Sequence, residues 1–492
     1  MNFPDDTPAT EAPIEDGRGP LYEALARKLL GQIGDGALRP GDRIPSVREL
    51  SRQTGHSITT MLKAYEHLEA LGAIESRPRS GYFVRAGALK PQALPQTIEI
   101  PQGPASLIST DVVSTVLETI GRPGFVPFGH ATPAAELLPI ASLNQLTRRV
   151  MKAEPLMPGR YLMPPGHERL REQIARRLVA SGCAATADDI VITNGSLEAI
   201  NLCIRLLCRA GDTILMESPT YYGLLQIAEE HGLRVVELPN DPVRGVDPDD
   251  LRRAVRRHRI SAALLVQNFN NPTGSLMPDE AKRDVVHTLA AHGIPLIEDD
   301  IYGELGFAQG RARPLKSFDD SDNVLYCSSV SKTLSPGLRV GWIASKRWRR
   351  ELIRHKFTLS CATASIPQLV VASYLESGGY ERHLRTLRAT LARSIARFSE
   401  AVLRHFPQPT AITRPQGGFV LWIELPRNVD CIELFHLATQ QRIALSPGTI
   451  FSASGQYQNY IRLNCALPWT PQIEQALVSL GQLAMSLANR RY

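Results

Sequence analysis

From about Phe125 onward, apolar runs of strand length keep alternating with stretches of helical periodicity. The runs are "DIVIT", "DTILME", "SAALLVQ", "IPLIED", "NVLYCS" and "RVGWIAS", and patterns such as "SLEAINLCIRLLCRAG" separate them. A strand apolar on both faces must be covered on both, and helical crossovers return each strand parallel to the last. The alternation therefore predicts an α/β fold, a mostly parallel central sheet with helices on either side. From about Phe357 the pattern turns mostly helical with a few strands, as at "GGFVLWIEL" and "YIRLNCA", which predicts a smaller α+β subdomain. At 492 residues the chain exceeds what one core of ordinary size serves, so at least two domains are expected.

Open parallel sheets bind ligands outside the carboxyl ends of their strands, and the polar punctuation of this chain falls there. After "DIVIT" comes "NGSLEA", a glycine turn opening a helix whose first amides would face a phosphate. After "SAALLVQ" comes "NFNNPTG", and after "PLIE" comes "DDIYGEL". The segment "YCSSVSKTLSPGLRVGW" then sets one lysine among small hydroxyl residues, ahead of an arginine. Singly, each feature is ordinary: such a lysine is usually solvated, and an aspartate at a strand end is usually a cap. Together they assemble an amine (Lys332), carboxylates (Asp299 and Asp300), a phenol (Tyr302), an amide (Asn271) and phosphate binders (Gly195, Ser196, Ser329, Arg339). That set suits pyridoxal 5′-phosphate. The lysine holds the aldehyde, a carboxylate keeps the pyridine nitrogen protonated, and the phosphate has its own pocket.

The first part of the chain follows another rhythm. Leu21, Leu25, Leu29 and Ile33 recur at helical spacing, "LRPGDRIP" breaks the run, and "SVRE" (Ser46 to Glu49) is a capping box. A third helix is predicted from Ser57 or Ile58 to Leu71, ended by Gly72, and "AIESRPRSGYFV" reads as two short strands around a turn. Residues 17–90 carry twelve Lys/Arg against seven Asp/Glu, behind an opening stretch with five acids and no base. A compact basic module fits a polyanionic partner, although a solvated charged face is the plainer account. Pro91, Pro95, Pro101, Pro104 and Pro123 punctuate the stretch that follows. The expected organisation is a helical module over 18–86, a linker over 87–124 with one short helix near "DVVSTVLETI", and the α/β body over 125–492.

No apolar run approaches the ~18 residues a membrane span needs, so no membrane partner is expected. "MNFPDDTPATEAPIEDG" is acidic and proline-bearing and does not look like a secretory signal. Seven cysteines without a C-x-x-C pair suggest reduced thiols rather than disulfides or a zinc site, with Cys203 and Cys208 as core residues. A cytoplasmic location is expected, and no metal.

On these motifs the chain resembles known families. Residues from about 125 to 490 resemble the fold-type I aminotransferases related to aspartate aminotransferase. "PGDRIPSVREL" and its surroundings resemble the winged helix-turn-helix of the GntR regulators. The two in tandem resemble the MocR subgroup of bacterial transcription factors. The resemblance implies that Lys332 is the Schiff-base lysine and that Asp299, three residues before Tyr302, is the partner of the pyridine nitrogen. It implies that Tyr302 and Asn271 bind the ring hydroxyl and that Tyr221 of "SPTYYG" stacks on the ring. Gly195, Ser196, Leu197, Ser329 and Arg339 match phosphate ligands, and Arg462 of "YIRLNCA" matches the arginine that grips a substrate α-carboxylate. Tyr161 of "RYLMPPG" resembles the tyrosine that reaches the neighbouring subunit's phosphate, which implies a homodimer.

In the winged helix the resemblance points to Arg48, Ser57, Thr59, Thr60 and Lys63, and to the wing residues Arg77, Arg79 and Gly81, as contacts with double-stranded DNA. Ile58 and Leu62 stand where many relatives carry arginines, so guanine reading would fall mainly to Arg48. The function implied is a pyridoxal 5′-phosphate-dependent transcriptional regulator that senses an amino acid or amine. The alternative is a working aminotransferase with an appended winged helix.

Overall fold

A capping box opens the second helix of the smaller unit. In a computed structural model of the chain, Ser46 Oγ accepts from Glu49 N (3.2 Å) and Glu49 Oε2 accepts from Ser46 N (3.4 Å), which holds the first turn of Val47–Thr54. The structure describes residues 21–34, 37–39, 41–70, 73–77, 80–84, 93–101, 103–106, 111–119, 121–307 and 311–490. These divide into two units after residue 92.

In the smaller unit the helices Leu21–Gly34, Val47–Thr54 and Ile58–Ala70 precede an antiparallel hairpin of Ile74–Arg77 and Gly81–Val84. One core joins Ala26, Leu29 and Ile33 to Ala64, Tyr65 and Leu68 and to Ile74 and Val84 of the hairpin. The phenol of Tyr65 donates to Pro45 O (2.6 Å), fixing the third helix against the entry to the second. Gly72 and Arg79 lie outside the described residues.

The larger unit is built on one sheet whose main strands run in the order Arg234–Asp241, Thr213–Ser218, Ala262–Leu265, Leu296–Asp299, Val324–Ser329, Gly341–Ala344 and Ile190–Thr193. All are parallel except Gly341–Ala344, which runs against both neighbours. That reversal brings the start of Gly341–Ala344 to the edge where its neighbours end, and Arg339 with it. The five strands Thr213–Ser218, Ala262–Leu265, Leu296–Asp299, Val324–Ser329 and Ile190–Thr193 are buried along their whole length, among Leu, Ile and Val side chains packed by helices, as their unbroken apolar runs require.

A second, antiparallel sheet orders Ala411–Ile412, Val420–Glu424, Tyr460–Asn464 and Ser446–Pro447. The helices Gly379–His405, Cys431–Gln440 and Pro471–Ala488 share its core.

The linker expected over 87–124 needs correction from residue 93 onward. Ala93 O accepts from Ile412 N (3.2 Å), and Gln96 N donates to Glu424 Oε2 (3.0 Å), both on the antiparallel sheet. Thr97 Oγ1 donates to Asp241 Oδ2 (3.3 Å), and Ala105–Ser106 pairs with Arg234 and Val235 at the edge of the central sheet. The helix Asp111–Thr119 buries Val113 and Val116 in the core of the smaller subdomain. Proline spacing suggested a linker, but hydrogen bonds to both sheets and the buried Val113 and Val116 dock it. No helix among the described residues is long and apolar enough to cross a membrane.

Candidate functional site

Adjacent residues of an extended chain face opposite sides of the sheet, and this separates Asp299, the last residue of Leu296–Asp299, from Asp300 just after it. Asp300 turns to one side, where Asn268 Nδ2 (2.8 Å), Arg311 Nη2 (2.7 Å) and the Tyr326 phenol (2.9 Å) donate to it. Asp299 turns to the other, is buried, and has an Oδ1 with no hydrogen-bond partner. Burial first, then the charge of Asp300, pushes its carboxyl up to about 7, against the pull of Lys332. A buried acid with one open oxygen is the acceptor that a protonated ring nitrogen requires.

Lys332 follows Val324–Ser329, and its Nζ donates to Ala131 O (2.6 Å). Burial lowers its pKa to about 8, with Arg462 and Arg339 adding to the effect and Asp299 opposing it. An amine so lowered is more readily neutral, the form that attacks an aldehyde. Across the site Arg462 is fully buried. Its Nη1 donates to Asn271 Oδ1 (3.1 Å), its Nη2 to Ser446 Oγ (3.0 Å) and to Gly129 O, while its Nε has no partner. All these partners are neutral, so the guanidinium is a buried cation without a carboxylate. Asn271 Nδ2 in turn donates to the Tyr302 phenol (3.2 Å), which burial holds above its usual pKa.

The phosphate end is built from the reversed strand. Gly195, at φ 89°, opens the helix Ser196–Leu207, and Arg339 Nη2 donates to Asn194 O (2.7 Å) just ahead of it. A Cβ on Gly195 would stand 2.5 Å from that Nη2, and one on Gly341 would meet the Gly195 backbone at the same distance. Both positions therefore require glycine. Ser196 and Ser329 are buried; Leu197 exposes its side chain, leaving its amide as the expected ligand. Tyr221 precedes the helix Tyr222–Glu230, and a Cβ on Gly223 would press on its ring at 2.6 Å.

The structure thus brings Lys332, Asp299, Tyr302, Asn271, Tyr221 and Arg462 into one field of mutual influence, with Arg339 also felt at Lys332. Tyr161 stands apart, 80% exposed.

Sequence reasoning missed the loop Gly129–Ala131 of "FGHATP", which accepts from both Lys332 and Arg462. It also missed His130, whose imidazole is driven down to about 4 by burial and then by Lys332 and Arg462. Small residues after a two-residue strand give no periodicity from which this loop is recognisable.

In the smaller unit Arg48, Ser57, Thr59 and Lys63 are exposed and Thr60 is half-buried. Ser57 Oγ accepts from Thr60 N (3.1 Å) and lies 2.8 Å from Thr60 Oγ1, so these two hydroxyls also serve the start of Ile58–Ala70. Ile58 and Leu62 are exposed on the same helix. In the hairpin Gly81 holds φ 96° beside Arg43, and Arg77 lies over Phe83 and pairs with Glu75 (2.8 Å).

Comparison with known proteins agrees with both units. Residues 141–480 match the family model described as aminotransferase class I and II, and residues 21–84 match bacterial regulatory proteins, gntR family. The Escherichia coli (strain K12) uncharacterized HTH-type transcriptional regulator YjiR is 39% identical over 461 residues, covering 94% of this chain and 98% of that one. A Thermus thermophilus 2-aminoadipate transaminase is 29% identical over 387 residues, covering 78% of this chain and 96% of its own length. A crystal structure of LysN, the α-aminoadipate aminotransferase of Thermus thermophilus, complexed with N-(5′-phosphopyridoxyl)-L-leucine, superposes with a TM-score of 0.71 at 27% identity, covering 78% of this chain and 96% of that one. The open Asp299 oxygen, the lowered lysine and the glycine-built cradle fit pyridoxal 5′-phosphate, and that is the cofactor. The chain belongs to the aminotransferase class I and II family and, with a GntR-family winged helix ahead of that domain, to the MocR-type HTH transcriptional regulators, which bind DNA.

Proposed function

We propose that the larger unit senses an amino acid or amine and that its ligand state sets the DNA affinity of a homodimer. The observation that carries this reading is Arg462, a buried fork with no carboxylate partner, in the field of the buried amine Lys332. A buried cation is costly unless paired, and an α-carboxylate supplies the missing charge with bidentate geometry. Lys332 would hold the cofactor's aldehyde carbon, and the primary amine of the same ligand would displace Lys332 from it, freeing the lysine amine. Asp299 would hold the proton on the ring nitrogen, Asn271 and Tyr302 would hold the ring hydroxyl, and Tyr221 would cover the ring face. Gly195, Ser196, Leu197, Ser329 and Arg339 would hold the phosphate.

Residues 93–106 support the link to DNA binding. This segment follows the DNA-binding unit in the chain and bonds to both sheets of the larger unit, and the Tyr460 phenol, two residues from Arg462, reaches Gln96 O at 3.5 Å. A ligand that favours one arrangement of the two sheets would favour one setting of that segment, and only such differential affinity can drive a response. The exposure of Tyr161, with Leu156 and Met163 nearby, supports a homodimer in which Tyr161 reaches the other subunit's phosphate site. Seven free cysteines and a DNA partner support a cytoplasmic place.

The test is fluorescence anisotropy with an operator selected from random duplexes, titrating the cofactor-loaded protein with each amino acid and several amines. One ligand that changes DNA affinity while perturbing the cofactor's visible band is the expected result. Ligands that shift the band and never move DNA affinity sink the sensor reading. The complete set Lys332, Asp299, Tyr302 and Arg462 favours a second reading, that the chain also exchanges amino groups. Keto-acid product exceeding the protein many-fold, once a second keto acid is added to accept the amino group, establishes it.

A further inference from the structure

One buried carboxylate close to this site touches none of the reacting positions. Glu217 lies in the strand Thr213–Ser218 with no exposed surface. Its Oε1 accepts from Thr220 Oγ1 (3.0 Å), Val266 N (3.1 Å) and Asn270 Nδ2 (3.2 Å). Its Oε2 accepts from Val266 N (3.1 Å) and Gln267 Nε2 (3.3 Å). Both side-chain amides are locked in that orientation from their other ends. Asn270 Oδ1 accepts from Thr273 N and Oγ1 (3.3 and 3.0 Å), and Gln267 Oε1 accepts from Val246 N (3.2 Å). Glu217 is therefore ringed by neutral donors, an arrangement that only an acceptor on both oxygens satisfies.

Such a group is expensive: burial raises the carboxyl's pKa above its ordinary value, while the donors on both oxygens pull it back toward the carboxylate. An apolar side chain would fill the strand position, but it would leave the surrounding donors unpaired and the two loops unlinked. The loops are the informative part. Thr220 directly precedes Tyr221, and Asn270 directly precedes Asn271. We propose that Glu217 is a positioning residue that fixes the spacing between the Tyr221 ring and the Asn271 amide. It thereby sets the seat of the pyridine ring and, through Asn271, the aim of the Arg462 fork. This rests on the cofactor site proposed above.

Glu217→Gln is the discriminating variant, because it keeps the volume but turns an NH₂ toward donors whichever way the amide points. The experiment loads full-length protein with pyridoxal 5′-phosphate, then measures its dissociation constant and the pH midpoint of its visible band. We expect the constant to rise about tenfold or more and the midpoint to move by roughly half a pH unit or more. A merely structural role would lower thermal stability and leave the midpoint in place. A folded variant with a constant within about twofold of wild type and an unmoved midpoint overturns the proposal. Should Glu217→Gln fail to fold, Thr220→Val removes one bond to the same carboxylate and is expected to shift the midpoint less, in the same direction. An unmoved midpoint there overturns the proposal equally. Wild type that forms no visible band with pyridoxal 5′-phosphate overturns the site reading itself, and this inference with it.

Discussion

In the larger unit the groups that matter are buried and several are short of partners, whereas in the smaller unit most are exposed and one, Ser57, is tied to its own helix start. Asp299 Oδ1 and Arg462 Nε are enclosed and unmatched, and Lys332, Asp299 and His130 are all displaced from their ordinary pKa values. Arg48, Thr59 and Lys63 stand in solvent, and Ser57 is engaged with the turn it starts. The difference follows from the ligands. A small molecule is bound by surrounding it, so its site must hold desolvated charge in waiting. A duplex is a surface of fixed charge, met by groups that remain hydrated until contact. Substitutions in the first site should therefore move pKa values and stability along with binding, and those in the second should move binding alone, save at Ser57, which also serves the start of its helix.

The largest expected effect is at Arg462. Arg462→Ala removes a planar fork of charge-assisted bonds and should weaken any α-carboxylate ligand on the order of a hundredfold. Titration of the visible band with an amino acid measures it, and Arg462→Lys should recover only part, since an ammonium lacks the fork. If an amine without a carboxylate loses as much affinity as an amino acid does, Arg462 is not the carboxylate's receptor. Next is Arg48→Ala, which should cost roughly 1–3 kcal/mol of DNA binding if it reads a base edge. The thermal midpoint should stay put, because the side chain is exposed. A matching fall in stability would blur the contrast between the two sites.

The strand ends were legible because a parallel sheet announces itself through unbroken apolar runs, and its ligands collect where those runs stop. Lys332, Asn271 and Tyr302 could be placed by that logic alone. The choice of Asp299 over Asp300 needed a resemblance, since either can follow a strand; the structure adds the reason, which is the face of the sheet each occupies. The reversal of Gly341–Ala344 was not legible, because an antiparallel member buried in a parallel sheet has the same apolar pattern as its neighbours. Its sense follows from the short connection over residues 330–340, which holds one 3₁₀ turn, Pro336–Leu338, and no crossover helix. Glu217 and His130 stayed hidden for a related reason. Their significance lies in partners distant in sequence, such as Asn270 for Glu217 and Lys332 for His130.

His130 sharpens the comparison through pH. Its folded pKa of about 4 lies below its ordinary 6.5, so between those values the unfolded chain binds the proton and the folded chain does not. Stability from this group is complete above about pH 6.5 and is lost as pH falls toward 4. His130→Asn removes the titration and should reduce the acid-side loss by about 1–2 kcal/mol, allowing for the ring's partial exposure. Urea midpoints at pH 7 and pH 4.5 test this. Equal pH differences in both proteins would mean that the imidazole is not held neutral by the site.

The smallest effect lies within the smaller unit, where Ser57 and Thr59 are both candidate DNA contacts yet differ in what else they do. Ser57 Oγ accepts from Thr60 N and meets Thr60 Oγ1, so its loss leaves a helix-start donor without its side-chain acceptor. Ser57→Ala should cost about 1 kcal/mol of local stability, near the typical value of an N-terminal cap. Hydrogen exchange in the first turns of Ile58–Ala70 should then quicken about fivefold if exchange proceeds through opening of that helix. Thr59→Ala should leave exchange unchanged or slower, since alanine favours the helix and the side chain is exposed. Both variants should weaken DNA binding if both touch the duplex, but only Ser57→Ala should do so with a loosened helix. If both quicken exchange alike, the exposed residues of this unit are not independent of its fold, and the contrast with the buried site narrows to one of solvent exposure.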